Sequence, residues 1–259
     1  MGQEAGQTES AAGKKVFILY PHSVIQEEML DILIMGGFET YTLHDHKKAL
    51  RMLERFPGSI MFINIDEGMP EKEWEAYIRG IQENPKIKDT RLGILSYNQD
   101  KKLMEKYLMD LSLPCGYVQL KLGVQESTKI IMNALQANEA KGRRKFIRAF
   151  CADDINATMN YKDADVFFQG KLLDISSAGI AAKTSTSIDL PPKSILHDIQ
   201  LKLHGALVMA DGILIGKRQD DNNVLILLFD PSKMQTDNKL VIHRYIKQCL
   251  QKYIDGLKV

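Results

Sequence analysis

Three things are scarce in this chain: cysteine, charge of one sign and long apolar runs. Cys115, Cys151 and Cys249 are its only cysteines among 259 residues. No paired spacing links them, so the sequence offers neither a thiolate zinc site nor a disulfide framework, and it suits a reducing compartment. All three are expected to act as small buried hydrophobic residues. Lys and Arg number 34 against 33 acids. So balanced a chain sets up no global field for nucleic acid or an anionic membrane, and any anion site must be local. No apolar run approaches the roughly 18 residues needed to span a bilayer. There is no glycine-rich phosphate loop, no metal cluster of His and acids, and no nucleophile beside a base. The chain therefore reads as non-enzymatic, with no cofactor. Residues 1–13 are polar and rich in Gly, Ala and Gln, so they make no signal peptide and are expected to be disordered. A cytoplasmic protein is implied.

What is present is ordinary in bulk and informative in order. Hydrophobic residues make up 44% and charged residues 26%, and the length allows one large or two ordinary domains. Over residues 14–137, apolar runs alternate with helical patterns. Strands are expected at 16–20, 38–43, 60–65, 92–96 and 116–120, each followed by a helix: 24–35, 46–56, 71–82, 101–109 and 124–137. Five βα units in succession predict a doubly wound parallel sheet with helices on both faces. In such folds chemistry gathers outside the carboxyl ends of the strands. Asp66 follows the third strand, Ser96 ends the fourth, and Gly116-Tyr117-Val118 lies in the fifth.

These positions resemble the receiver domain of two-component response regulators. The resemblance implies Asp66 as a possible phosphoacceptor, and the chain departs from the family where the chemistry needs it most. Receivers carry two acids after the first strand to hold magnesium, and here Pro21 and His22 stand there. Neither offers a carboxylate to a hard cation. Lys121 falls one place late for the lysine that ends the fifth strand, and Leu122 follows it. The domain is expected to be receiver-like with degraded chemistry, kept for contacts within the chain or with a protein partner. Trp74 is expected to face the core, and His44 and His46 to be solvated.

The pattern changes after residue 137. Residues 138–148 form a charged, glycine-bearing linker with the run Arg143-Arg144-Lys145-Phe146-Ile147-Arg148. Beyond it, over 149–259, strands are expected at 164–174, 179–184, 195–203, 206–217 and 224–229, separated by turn residues. An amphipathic helix over 240–254 closes the chain. This predicts an antiparallel barrel. Asp174-Ile175-Ser176-Ser177-Ala178-Gly179 lies at a strand end. Asp174 and Ser176, two apart, share a face, and Gly179 permits close backbone approach or positive φ. Lys217-Arg218, at a strand end, offers a further contact, but reads first as a solvated strand terminus.

Arg-x-x-x-Arg followed by Asp-x-Ser-x-x-Gly on a barrel with a closing helix resembles the PilZ domain, over about residues 143–254. The resemblance implies a six-stranded barrel and the ligand cyclic di-GMP, bound by Arg144, Arg148, Asp174, Ser176 and Gly179, with Arg143 as a further cation. Arginine suits this ligand because it forks onto phosphate or guanine and stacks on a base. The implied protein is an effector whose ligand, bound at the linker, couples the two domains. Alternatives are a response regulator working through Asp66, a nucleic-acid module, which the balanced charge disfavours, and a PilZ scaffold without ligand.

Overall fold

The computed structural model describes residues 13–163, 166–185 and 190–258. Of the tail expected to be disordered, all but Gly13 lies outside them. The chain divides into two compact units, with breaks between Lys145 and Phe146 and again between Tyr253 and Ile254.

In the first unit the strands are β1 (Val16–Leu19), β2 (Thr40–Leu43), β3 (Ile60–Asn64), β4 (Arg91–Ser96) and β5 (Tyr117–Gln119). The helices are α1 (Ser23–Met35), α2 (His46–Arg55), α3 (Glu71–Glu83), α4 (Lys101–Glu105, continued by a π-helical turn over Lys106–Asp110) and α5 (Val124–Ala137). The strands pair in the order β2-β1-β3-β4-β5, all parallel. A parallel sheet covered on both faces needs strands that are apolar throughout, and every residue of β1 and β3 is buried. Val16, Ile18, Phe62 and Val118 pack with Leu33 of α1 and Ile131 and Leu135 of α5. Alternation turns Phe17 to the other face, where its ring meets Phe56 just past α2. Asp45 starts α2 by accepting from Lys47 N and Lys48 N at 2.7 and 3.2 Å.

The second unit is a closed antiparallel barrel. Its strands are β6 (Ala149–Phe150), β7 (Thr158–Asp163), β8 (Val166–Ser176), β9 (Gly179–Thr184), β10 (Ile195–Leu203), β11 (Ala206–Lys217) and β12 (Val224–Phe229), followed by α6 (Thr236–Asp255). Six strands run β8-β7-β10-β11-β12-β9, and β9 closes onto β8. The short β6 pairs with the far end of β8, beyond the reach of β7. The sixth barrel strand is β7, a stretch the hydrophobic pattern leaves unassigned. The apolar face of α6, including Ile242, Ile246 and Leu250, is buried. A polar contact fixes the helix to the barrel: Tyr245 OH donates to Asp154 Oδ2 at 2.8 Å, and His204 Nε2 lies 3.1 Å from the same oxygen. Burial works against the Asp154 charge, but hydrogen bonds from Asn156 N–H and Tyr245 OH outweigh it and hold the carboxyl below its usual range. Cys115, Cys151 and Cys249 are free and buried, and burial pushes the first two thiols up to about 12. Among the described residues no helix is long and apolar enough to cross a membrane.

Candidate functional site

The site in the second unit is built by an irregularity of β8. Pairing with β9 runs Leu172↔Ala182 and then Asp174↔Ala181, so Leu173 is an extra residue in the ladder. A one-residue insertion reverses the alternation that follows it. Leu172 and Ile175, three apart, are consequently both 0% exposed and fill the barrel. Asp174 and Ser176 turn to the opposite face, as does Phe150, which stands directly across from Asp174 on β6. Without the bulge Asp174 would point into the apolar interior.

On that outer face Asp174 remains only 8% exposed, and it is flanked by two cations. Arg148 Nη1 lies 3.9 Å from Oδ1, and Arg218 Nη2 lies 3.6 Å from Oδ2. Both distances give charge pairing but exceed hydrogen-bond reach. The arginine side chains are 49% and 39% exposed, so each guanidinium meets solvent while the carboxylate between them is covered. Phe150 is 76% exposed, an apolar ring left open beside the charges.

Ser176 and Gly179 close the hairpin from β8 to β9 around a two-residue turn. The Ser176 hydroxyl accepts from Ala178 N and donates to Gly179 O, both at 3.3 Å. Gly179 is required by close approach rather than by positive φ. A Cβ there would stand 2.1 Å from Leu227 O and 3.0 Å from Leu228 Cα of β12. The approach it allows is to the barrel's own backbone. Arg143 and Arg144 are exposed and fall at the end of the first unit. Arg148, Asp174, Ser176 and Gly179 fall in the second.

Sequence reasoning sets Arg218 aside and passes over Phe150. The available signals were a basic pair at a strand end and an aromatic two residues beyond Arg148. Neither points to Asp174 until the barrel closes.

At the carboxyl end of the first unit's sheet, Asp66 accepts from Ser96 Oγ at 2.5 Å and from Tyr97 N at 2.6 Å. His22 caps α1, taking Val24 N–H at 3.4 Å on Nδ1, and its ring meets Tyr97 edge-on at 5.0 Å. Tyr20, with φ of 53°, packs over the loop after β3. A Cβ on Gly68 would meet its ring at 2.7 Å, and Trp74 stands against it at 5.9 Å. Trp74 is buried as expected, its Nε1 donating to Glu67 O at 3.0 Å. His46 differs from expectation: it is half-buried, with Nδ1 3.1 Å from Tyr20 Oη. An aromatic ring thus covers the loop after β3, the loop that begins with Asp66, the position the resemblance marks as a possible phosphoacceptor. Among the described residues no group of three or more His, Cys, Asp or Glu side chains is arranged to hold a metal.

No family model and no curated protein matches the chain. Solved structures do. The PilZ domain of YcgR from Escherichia coli, with c-di-GMP, is 20% identical with a TM-score of 0.37, covering 44% of this chain and 99% of that one. The receiver domain of an HD domain-containing protein from Pseudomonas fluorescens is 16% identical with a TM-score of 0.40, covering 49% and 90%. PlzA from Borreliella burgdorferi, in complex with c-di-GMP, is 17% identical with a TM-score of 0.29, covering 48% and 47%. The chain is similar to PilZ domains and to receiver domains, the two resemblances its motifs carry.

Proposed function

We infer that this protein is a cyclic di-GMP effector that binds its ligand at Asp174 and responds by changing the relation of its two units. The observation that carries the reading is the covered Asp174 carboxylate, with an open arginine at each oxygen and an open phenylalanine across from it. A carboxylate accepts the N–H donors on the Watson–Crick edge of guanine. Exposed guanidinium groups accept phosphate or guanine as forks, and an exposed ring gives a base a surface to stack on. One ligand that carries two guanines and two phosphates uses all of these.

Arg143, Arg144 and Arg148 complete the site from the linker, and Ser176 and Gly179 shape its floor. Because Arg144 belongs to the first unit and Asp174 to the second, a ligand held by both favours arrangements that bring them together. The response is then a population shift set by the ligand's differential affinity for those arrangements. A protein partner reads the change, and no chemical step is required of the chain itself.

Calorimetric titration with cyclic di-GMP tests the reading. Arg144→Ala, Arg148→Ala and Asp174→Ala should each cost about 1–3 kcal/mol, or roughly fivefold to more than a hundredfold in affinity. Wild-type affinity in all three variants would remove the site. Small-angle scattering of the same samples should change on ligand addition, and an unchanged profile would remove the coupling while leaving the binding.

A further inference from the structure

We propose that Arg218 reads the guanine base at the Asp174 site, forking its guanidinium onto O6 and N7. The proposal rests on the cyclic di-GMP reading above and deepens it.

Arg218 follows the last residue of β11 and closes the hairpin to β12, its N–H donating to Val224 O at 2.9 Å. The turn beyond it is tied down by its own groups. Asp221 O accepts from Val224 N at 2.9 Å, and Asp221 Oδ1 accepts from Asn223 N at 3.0 Å. Asp221 Oδ2 takes Lys183 Nζ of β9 at 2.7 Å. The backbone that carries Arg218 is therefore fixed before a ligand arrives, and only the side chain remains to be ordered. Such preorganisation lowers the entropic cost of binding.

The side chain is aimed at the site without being consumed there. At 3.6 Å from Asp174 Oδ2, the guanidinium is paired in charge but spends no N–H donor on the carboxylate. Guanine presents N1–H and its 2-amino group as donors, which suit Asp174. Next to N1–H it presents O6 and then N7, two acceptors that a planar donor fork matches. A carboxylate and a guanidinium side by side complement this run of groups. They do not complement adenine, which has an amino donor in place of O6. Arg218 is carried by the β11–β12 hairpin and Arg148 by the segment that leads into β6, and each faces a different oxygen of Asp174, so one can hold the base while the other takes phosphate.

The test titrates the full chain with cyclic di-GMP and with cyclic di-AMP, comparing wild type, Arg148→Ala, Arg218→Ala and Arg218→Lys, each checked by thermal melting. Both Arg218 variants should bind cyclic di-GMP about tenfold to a hundredfold more weakly, and the preference over cyclic di-AMP should shrink in both. Lysine keeps the charge but not the fork, so it should fail to rescue. Should Arg218→Ala not fold, Arg218→Lys decides alone. The proposal falls if Arg218→Ala matches wild type, if Arg218→Lys restores affinity, or if the adenine ligand is weakened equally. Wild-type binding with a weak Arg148→Ala and an unaffected Arg218→Ala would sink Arg218 alone. A wild-type protein that ignores cyclic di-GMP would end both readings.

Discussion

Each unit carries an aspartate on or just beyond a strand, and the two are treated in opposite ways. Asp66, just past β3, gives its two oxygens to neutral donors of its own unit, Ser96 Oγ and Tyr97 N. Asp174, near the end of β8, is bracketed by two guanidinium groups that stay beyond hydrogen-bond distance. A carboxylate tied by short bonds to fixed local groups helps to hold its own loop. One whose charge is balanced by solvent-facing forks can exchange those partners for a ligand. On the reading proposed above, the first unit's strand-end acid holds its own loop and the second unit's acid serves binding.

The largest expected effect separates architecture from recognition inside the second site. Gly179→Ala should destabilise the barrel by about 3 kcal/mol or more, because the added Cβ meets backbone of β12 that cannot rotate away. Thermal melting with and without ligand measures it. A variant that melts like wild type but no longer binds would assign the glycine to the ligand instead.

The two aspartates can then be set against each other. Asp174→Ala should lose about 1–3 kcal/mol of binding with little change in melting, since the ion pairs it removes are half-exposed at the arginine end. Asp66→Ala should do the reverse, losing about 1 kcal/mol of stability while titrating with ligand like wild type. Intact mass after treatment with acetyl phosphate and magnesium should show no phosphoryl adduct on Asp66. An adduct would restore the response-regulator reading and dissolve the contrast. Phe150→Ala is expected to weaken ligand binding by about 1 kcal/mol or somewhat more through lost stacking. Unchanged affinity would leave the exposed ring without a role.

What could be read from the sequence follows the same division. The parallel sheet was legible because buried strands such as Ile60–Asn64 are apolar throughout, and the helices between them carry period 3.6. The barrel strand β7, Thr-Met-Asn-Tyr-Lys-Asp, was not. Met159 and Tyr161 are buried, and two apolar residues in six fall below what alternation can signal. The motif at Asp174 was legible as residue types, but its outward aim depends on the Leu173 bulge, which only pairing with β9 defines. Arg218 and Phe150 reach Asp174 through barrel closure and through the β6–β8 pairing, and neither has a local pattern to announce it. Local periodicity was readable; partners set by register were not.

A third aspartate supplies the finest test of the contrast. Asp211 on β11 is also ringed by partners, among them the cation of Lys233, but at bonding distance. His197 Nδ1 lies 2.7 Å and Lys233 Nζ 3.0 Å from Oδ2, and Asp198 N donates to Oδ1 at 3.1 Å. The His197 hydrogen bond, then the Asp198 N–H and Lys233, hold its carboxyl down to about 2. A folded value below the ordinary value of about 3.9 means stabilisation that is complete above pH ~4 and fades as acidification approaches pH ~2. The site is near the surface and screened, so the gain should stay under about 1 kcal/mol. Asp211→Asn should melt slightly below wild type at neutral pH, and the difference should close between pH ~4 and ~2. Ligand affinity should not move. A gap that persists at the acid end would mean that packing, not charge, sets the role of Asp211. Lost affinity would mean that tight pairing and ligand binding are not the alternatives that Asp66 and Asp174 make them.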